Sequence, residues 1–358
     1  MEPSLESRFA LLVRSAFGPG VALKRSTQLA GDASTRRYAR LWLEDESAPP
    51  TAVVMILADR GTAMSSDELA VFAETPKELP YLNVHRFLER IGAPVPEVYF
   101  DASESGFVLL EDIGDNALWD VVGTAAPQTV RHWYQRAIDV LLLIQLEGTR
   151  KADTSCIGFQ QTFDEKLFNW EFEHFIEYGI ERRLDRALPA DDARVLRIHF
   201  GDISKELNAQ PRYLNHRDYH SWNLFVAGER IRVIDFQDAL LAPGPYDLAT
   251  LLGDRDTPQA VTPEVEASLL DYYRRRWEES GGPALPAGDL ERIYFLCALQ
   301  KALKVVGRFY YLDRVKQKPG YLRYIPATVR QIARILSRFP EFSEMSAVLR
   351  RYLPRCEL

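Results

Sequence analysis

Three cysteines in 358 residues, Cys156, Cys297 and Cys356, lie far apart and show no metal-ligand spacing. That sets aside a disulfide framework and a zinc site, and free thiols in a reducing cytoplasm are expected. No stretch approaches the ~20 consecutive apolar residues that a bilayer-spanning helix needs. The opening MEPSLESRFALLVRSAFG is acidic at its start and its short apolar run is cut by Arg14, which is not the pattern of a signal peptide. Basic excess is missing as well: 44 Lys+Arg against 51 Asp+Glu leave a net charge of −7. With no basic tail or stripe, the charge argues against a nucleic-acid or anionic-membrane surface. Internal repeats and low-complexity tracts are absent too. The expectation left standing is a cytoplasmic monomer with a small-molecule partner, long enough for two lobes of unequal size.

The polar chemistry is concentrated in one stretch, YLNHRDYHSWNLFVAGERIRVIDFQD, from Tyr213 to Asp238. It holds His216-Arg217-Asp218, then Asn223, a turn signal at Gly228-Glu229, the apolar run Ile231 to Ile234, and Asp235-Phe236. A transferring phosphoryl group passes through a loose transition state, so a protein must mainly hold Mg²⁺ on the phosphates and aim a hydroxyl in line. Asp218 suits the acceptor proton, while Asn223 and Asp235 offer hard oxygens to Mg²⁺. The turn folds those two ligands toward one point. Each fragment alone is as readily a salt-bridged or turn-capping residue; the ordered conjunction points to phosphoryl transfer.

HRDYHSWNL, followed by VIDFQDA and PYDLA, resembles the aminoglycoside phosphotransferase and choline kinase superfamily, whose relatives carry an H-x-D-x-H-x-x-N pattern. His220 stands where protein kinases usually have Lys, which favours a small-molecule kinase. GDASTRRY at 31–38, PVPEVY at 94–99, VLLEDIGD at 108–115 and GYLRYIP at 320–326 are similar to the cell-wall amino-sugar kinases. Those enzymes phosphorylate the anomeric hydroxyl of N-acetylmuramate and N-acetylglucosamine in cell-wall sugar recycling. The resemblance spans nearly the whole chain.

It implies an α+β, two-lobed protein-kinase-like fold: a small antiparallel-sheet nucleotide-binding lobe over 1–110, a hinge at 111–114, and a mostly helical lobe over 115–358 with the catalytic loop and acceptor site. ATP and Mg²⁺ are the implied cofactors. His216 and His220 would support the loop, and main-chain groups at Glu111 and Ile113 would hold adenine. Asp247 is either the N-cap that its residue type favours or, as the resemblance implies, a brace accepting from the loop backbone.

Taken in order, the chain opens on an amphipathic helix, Leu5 to Phe17, stopped by Gly18-Pro19-Gly20,. Strands follow at 21–29 and 38–43, joined by a turn with a single glycine, Gly31, and then at 53–57. The resemblance makes that turn the lid on the phosphates, with Ser34, Thr35, Arg36 and Arg37 as candidate contacts. Most kinases also carry a Lys on the third strand, yet Val53-Val54-Met55-Ile56-Leu57 has none. Arg36 or Arg37 is the nearest replacement; a degenerate, inactive kinase acting as a nucleotide-binding scaffold is the competing account. A short helix is expected within 59–80, another ends at Gly92, and strands recur at 97–101 and 106–110. A long helix is expected from Phe163 to Leu188, where Trp170 and Glu171 are core residues or part of an acceptor pocket. Further helices are expected at 263–280, 288–315, 325–338 and 342–352. The function so predicted is phosphorylation of an amino-sugar hydroxyl, with another alcohol or aminoglycoside acceptor as the rival.

Overall fold

The computed structural model describes residues 4–29, 36–57 and 78–354. Ser34, Thr35, Cys356 and nearly all of the short helix expected within 59–80 lie outside them. Helix α1 (Leu5–Phe17) starts at Ser4, whose side chain accepts from Ser7 N, and buries Phe9, Leu12 and Val13. These residues cover a five-stranded antiparallel sheet of order β1-β2-β3-β5-β4. Its strands are β1 (Ala22–Gln28), β2 (Arg37–Glu44), β3 (Thr51–Ile56), β4 (Val98–Ala102) and β5 (Phe107–Glu111), with α2 (Pro80–Arg90) between β3 and β4.

The two-residue period of β2 sorts its side chains to opposite faces. Ala39, Leu41 and Leu43 join α1 and the outer core, together with Val54 and Leu109. Tyr38 faces the other way, its hydroxyl 3.6 Å from the sulfur of Met55, and Met55, Val108 and Leu110 belong to the core shared with α2 and the helical lobe. Arg36 and Arg40 have the parity of Tyr38 and lie on this inner face.

The helical lobe begins with α3 (Leu118–Val122) and α4 (Pro127–Leu142), which runs on into a π turn at Leu143–Glu147. The long helix expected from Phe163 to Leu188 is instead α5 (Glu165–His174), capped by Asp164, continuing as a π turn over Phe175–Arg182. A separate helix, α6 (Ala190–Asn208), comes next. Four short strands build the catalytic stretch: β6 (Arg212–Asn215) pairs with β9 (Leu240–Pro243), and β7 (Leu224–Ala227) with β8 (Arg230–Val233). Then come α7 (Pro245–Gly253), α8 (Pro263–Glu279), α9 (Ala287–Arg314), α10 (Ile325–Leu336) and α11 (Ser343–Tyr352). No described helix is long and apolar enough to cross a membrane.

Helix α9 is the axis of this lobe. It is buried on nearly every side from Leu290 to Leu312, as expected of a helix enclosed by others. Its closest approach is to the π turn: a Cβ on Gly307 would meet Phe175 Cα at 2.8 Å and the His174 carbonyl oxygen at 3.0 Å. The α-helical pattern through Phe163–Leu188 gives way to π geometry at this same point of contact, in the way π segments are inserted into α-helices.

Gly307→Ala should therefore lower stability by about 1–3 kcal/mol through overpacking. Gly201→Ala, mid-helix in α6 with nothing within 4 Å of the new methyl, should instead gain about 0.5–1 kcal/mol. Urea unfolding midpoints of the two variants read the difference, and a Gly307→Ala midpoint equal to wild type would refute so close an approach.

Candidate active site

Strand β6 delivers the chain to His216 and then bends sharply, with Arg217 at φ +79°. A non-glycine residue in the left-handed region is costly and needs its neighbours to hold it. Asp247, one turn into α7, does so: its two carboxylate oxygens accept from the backbone N–H of His216 and, at 3.0 Å, of Arg217. Gly244 rather than Asp247 occupies the cap of that helix, so Asp247 is not an N-cap. His216 turns its ring onto the Ile234 carbonyl at 2.8 Å, joining the two ends of the stretch. Tyr219 reaches under the loop to the Ala137 carbonyl, also at 2.8 Å.

The β7–β8 hairpin, turning at Gly228 with φ +59°, brings Asp235 back to Asn223. Asn223 Nδ2 donates to the Asp218 carbonyl at 3.0 Å and lies 3.4 Å from Asp235 Oδ2. Gln237 Nε2 holds the other oxygen of Asp235 at 2.9 Å, and Asp235 too has a positive φ, +65°. Among the described residues no group of three or more His, Cys, Asp or Glu is set to hold a metal ion. A divalent cation at Asn223 and Asp235 would thus take two oxygens from the protein and the rest from phosphate and water, the mode that Mg²⁺ favours. The donor set fits.

Beneath Asp218 lies a cluster of buried charges that the sequence reading did not single out. Lys301 of α9 reaches Asp218 Oδ1 at 2.9 Å and the Arg217 carbonyl at 3.1 Å. One turn on, Lys304 lies 3.4 Å from Glu171, which also pairs with the Arg217 guanidinium at 3.6 Å and accepts from Gln300 at 2.7 Å. Burial alone would push the Asp218 carboxyl up, but Lys301, Lys304 and Arg217 outweigh it and hold it well below the usual carboxylate range,. Burial also lowers His220 to about 4, with Arg255 and Lys301 assisting against Asp254 and Asp218. His220 is therefore neutral at physiological pH. The signal for the cluster was present as QKALK inside an apolar helix, since lysines are almost never fully buried unless paired.

The remaining candidates are spread more widely. Arg36 Nη1 sits 4.0 Å from Asp235 Oδ1 and is largely buried, whereas Arg37 is exposed on the opposite face. The Glu111 side chain is clasped by Arg232, Nη1 to Oε1 at 2.8 Å with a second, shorter contact at Oε2. Ile113 lies between Asp112 and Gly114 in a turn fixed by Arg40, which pairs with Asp112 at 2.6 Å and with Asp115 at 2.8 Å. Glu171 is fully buried among its cations. Trp170 is exposed and stacks on His174 at 5.5 Å, lining an open groove of about 440 Å³ with Glu173, Glu177 and Arg197. No residue of the catalytic stretch lines that groove.

The family model described as "Phosphotransferase enzyme family" matches residues 25–287. A Pseudomonas aeruginosa protein named N-acetylmuramate/N-acetylglucosamine kinase is 30% identical to this chain, covering 89% of it and 86% of the relative. One of the same name from Caulobacter vibrioides is 28% identical, with 97% and 96% covered. The crystal structure of a choline kinase from Streptococcus pneumoniae superposes with a TM-score of 0.58 at 15% identity, covering 93% of this chain and 98% of that one. At that identity the likeness speaks to the fold.

The pH dependence of stability should carry the signature of His220. Its value of about 4 in the folded state lies below the ordinary 6.5, so between these values the unfolded chain binds the extra proton. The contribution is full above pH 6.5 and is lost as pH falls toward 4, a swing of roughly 2–4 kcal/mol. His220→Asn should flatten that part of a stability–pH curve measured by urea unfolding; an unchanged slope would mean that the ring is protonated where it sits.

Proposed function

Because the chain belongs to the phosphotransferase enzyme family, we propose that it transfers the γ-phosphoryl group of ATP to the anomeric hydroxyl of N-acetylmuramate or N-acetylglucosamine, a step of cell-wall sugar recycling. The observation that carries the proposal is that Asn223 lies against both the Asp218 main chain and the Asp235 carboxylate, beside a loop whose backbone Asp247 braces. The relatives' names supply the acceptor class.

In this reading the sheet lobe to residue 110 binds nucleotide, the 111–114 hinge offers Glu111 and Ile113 main-chain groups to adenine, and Ser34 and Thr35 meet phosphate. The helical lobe over 115–358 presents the acceptor. Asn223 and Asp235 hold Mg²⁺, which when bound neutralises and aligns the phosphates. Asp218 orients the acceptor hydroxyl, whose oxygen attacks the γ-phosphorus in line. The bond from that phosphorus to the β,γ-bridging oxygen breaks, its electron pair leaves on ADP, and the hydroxyl proton passes to Asp218. His216 and His220 support the loop. The enzyme acts as a cytoplasmic monomer.

Arg36 supplies the cation that β3 lacks: Met55 stands on the inner face, and the Arg36 guanidinium is the one beside Asp235. Arg36→Ala should raise the Michaelis constant for ATP about 10- to 100-fold, the worth of a charge-assisted contact. Arg37→Ala should leave it within about twofold. Steady-state kinetics on both variants decides, and equal effects would remove Arg36 from the phosphate site.

The acceptor position is tested with a blocked sugar. N-acetylglucosamine and N-acetylmuramate should be phosphorylated, whereas methyl N-acetylglucosaminide, which keeps every hydroxyl but that at C1, should be inert under the same conditions. Turnover of the glycoside at a comparable rate, or of choline or kanamycin with no turnover of the reducing sugars, would overturn the assignment.

A further inference from the structure

The catalytic loop carries no lysine of its own. Its position two residues after Asp218 is His220, which is buried and neutral. The ammonium that touches Asp218 comes instead from α9, 83 residues further along the chain.

We propose that Lys301 is the positioning residue of the transfer step: it fixes Oδ1 of Asp218 from α9, so that Oδ2 is the oxygen that meets the acceptor hydroxyl. The proposal rests on the reading of Asp218 as the group that takes the acceptor proton, and adds to it the element that aims that group.

Three observations and one general consideration carry it. First, the ammonium is doubly anchored to consecutive residues, Asp218 Oδ1 at 2.9 Å and the Arg217 carbonyl at 3.1 Å. It therefore fixes the carboxylate relative to the strained bend at Arg217 and does not merely neutralise it. Second, Lys301 is 6% exposed, with its ammonium 5.6 Å from the Tyr246 ring centroid, so its stem has no room to wander. Third, Asp218 keeps a third of its side chain accessible, 35% against 7% for Lys301. The pair is buried on the lysine side and open on the aspartate side, the asymmetry expected if the free oxygen faces a substrate. Fourth, an ion pair placed this deep is a poor route to stability, because desolvation offsets most of the attraction.

The groups facing Asp218 are Lys301 and Lys304 from α9 and Arg217 and His220 from the loop; those facing Lys301 include Asp254 after α7 and Glu171 from α5. Removing Lys301 leaves Asp218 with its remaining cations but without the contact that orients it.

The test uses the full chain with ATP and N-acetylglucosamine or N-acetylmuramate. Lys301→Met should lower kcat by about 10²–10³-fold, within the range of a disabled general base, while the Michaelis constant for ATP stays within about threefold. Its unfolding midpoint should fall, because removing one partner of a buried pair leaves Asp218 and the Arg217 carbonyl without that contact,, so kcat is compared at a temperature where both proteins are folded. Lys301→Arg should recover part of kcat, and reads the proposal by itself if the methionine variant does not fold. In an Asp218→Asn background, Lys301→Met should cost nothing further. A Lys301→Met enzyme with wild-type kcat overturns the proposal, as does a loss explained by unfolding that arginine fails to relieve. Asp218→Asn at wild-type rate would instead sink the underlying reading of Asp218.

Discussion

The structure turns on one strained backbone position, Arg217 at φ +79°. A left-handed non-glycine residue costs of order 1–3 kcal/mol, and it persists only where its surroundings leave no alternative. Here they act on every part of it. Asp247 takes its N–H and that of His216, Lys301 takes its carbonyl, and Glu171 takes its guanidinium. Three elements remote from one another in sequence, α5, α7 and α9, thus agree on the conformation of a single peptide, and Asp218 is its next residue.

That convergence accounts for what could and could not be read in the sequence. That Asn223 would lie beside Asp218 and Asp235 was legible because it depends on short-range spacing: a bend, and a hairpin that returns its two ends to one another. The sheet strands and the helices after 263 were legible for a similar reason, since alternation and 3.6-residue periodicity are local properties. Lys301, Lys304 and Glu171 belong to different helices, and only tertiary packing decides which face of α9 meets which face of α5. Glu171 was accordingly entertained as an acceptor contact, whereas it lies under the loop. The break in the helix at Phe175 was invisible for the same reason, because it lies against Gly307, 132 positions away.

The pair Arg36–Arg37 stands between these cases. Nothing in composition distinguishes two adjacent arginines, yet the period of β2 does, once Tyr38 is assigned to the face of Met55 and Ala39 to the face of α1. Of the two, it is Arg36, just ahead of β2, whose guanidinium lies 4.0 Å from Asp235.

The clasp between Glu111 and Arg232 bears on how the two lobes can move. Arg232 lies on β8, and the same strand also ties back to the sheet lobe through Val233 N to the Pro94 carbonyl at 3.0 Å and Arg232 to the Val95 carbonyl at 2.8 Å. The hairpin bearing Asp235 is therefore mechanically coupled to the upper lobe as well as to the lower one. Asn223 is fastened to the end of that same strand, its carbonyl accepting from Ile234 N at 3.0 Å, so a rocking motion of the sheet transmitted through β8 would carry Asn223 and Asp235 together and keep their spacing while the rest of the helical lobe moved past them.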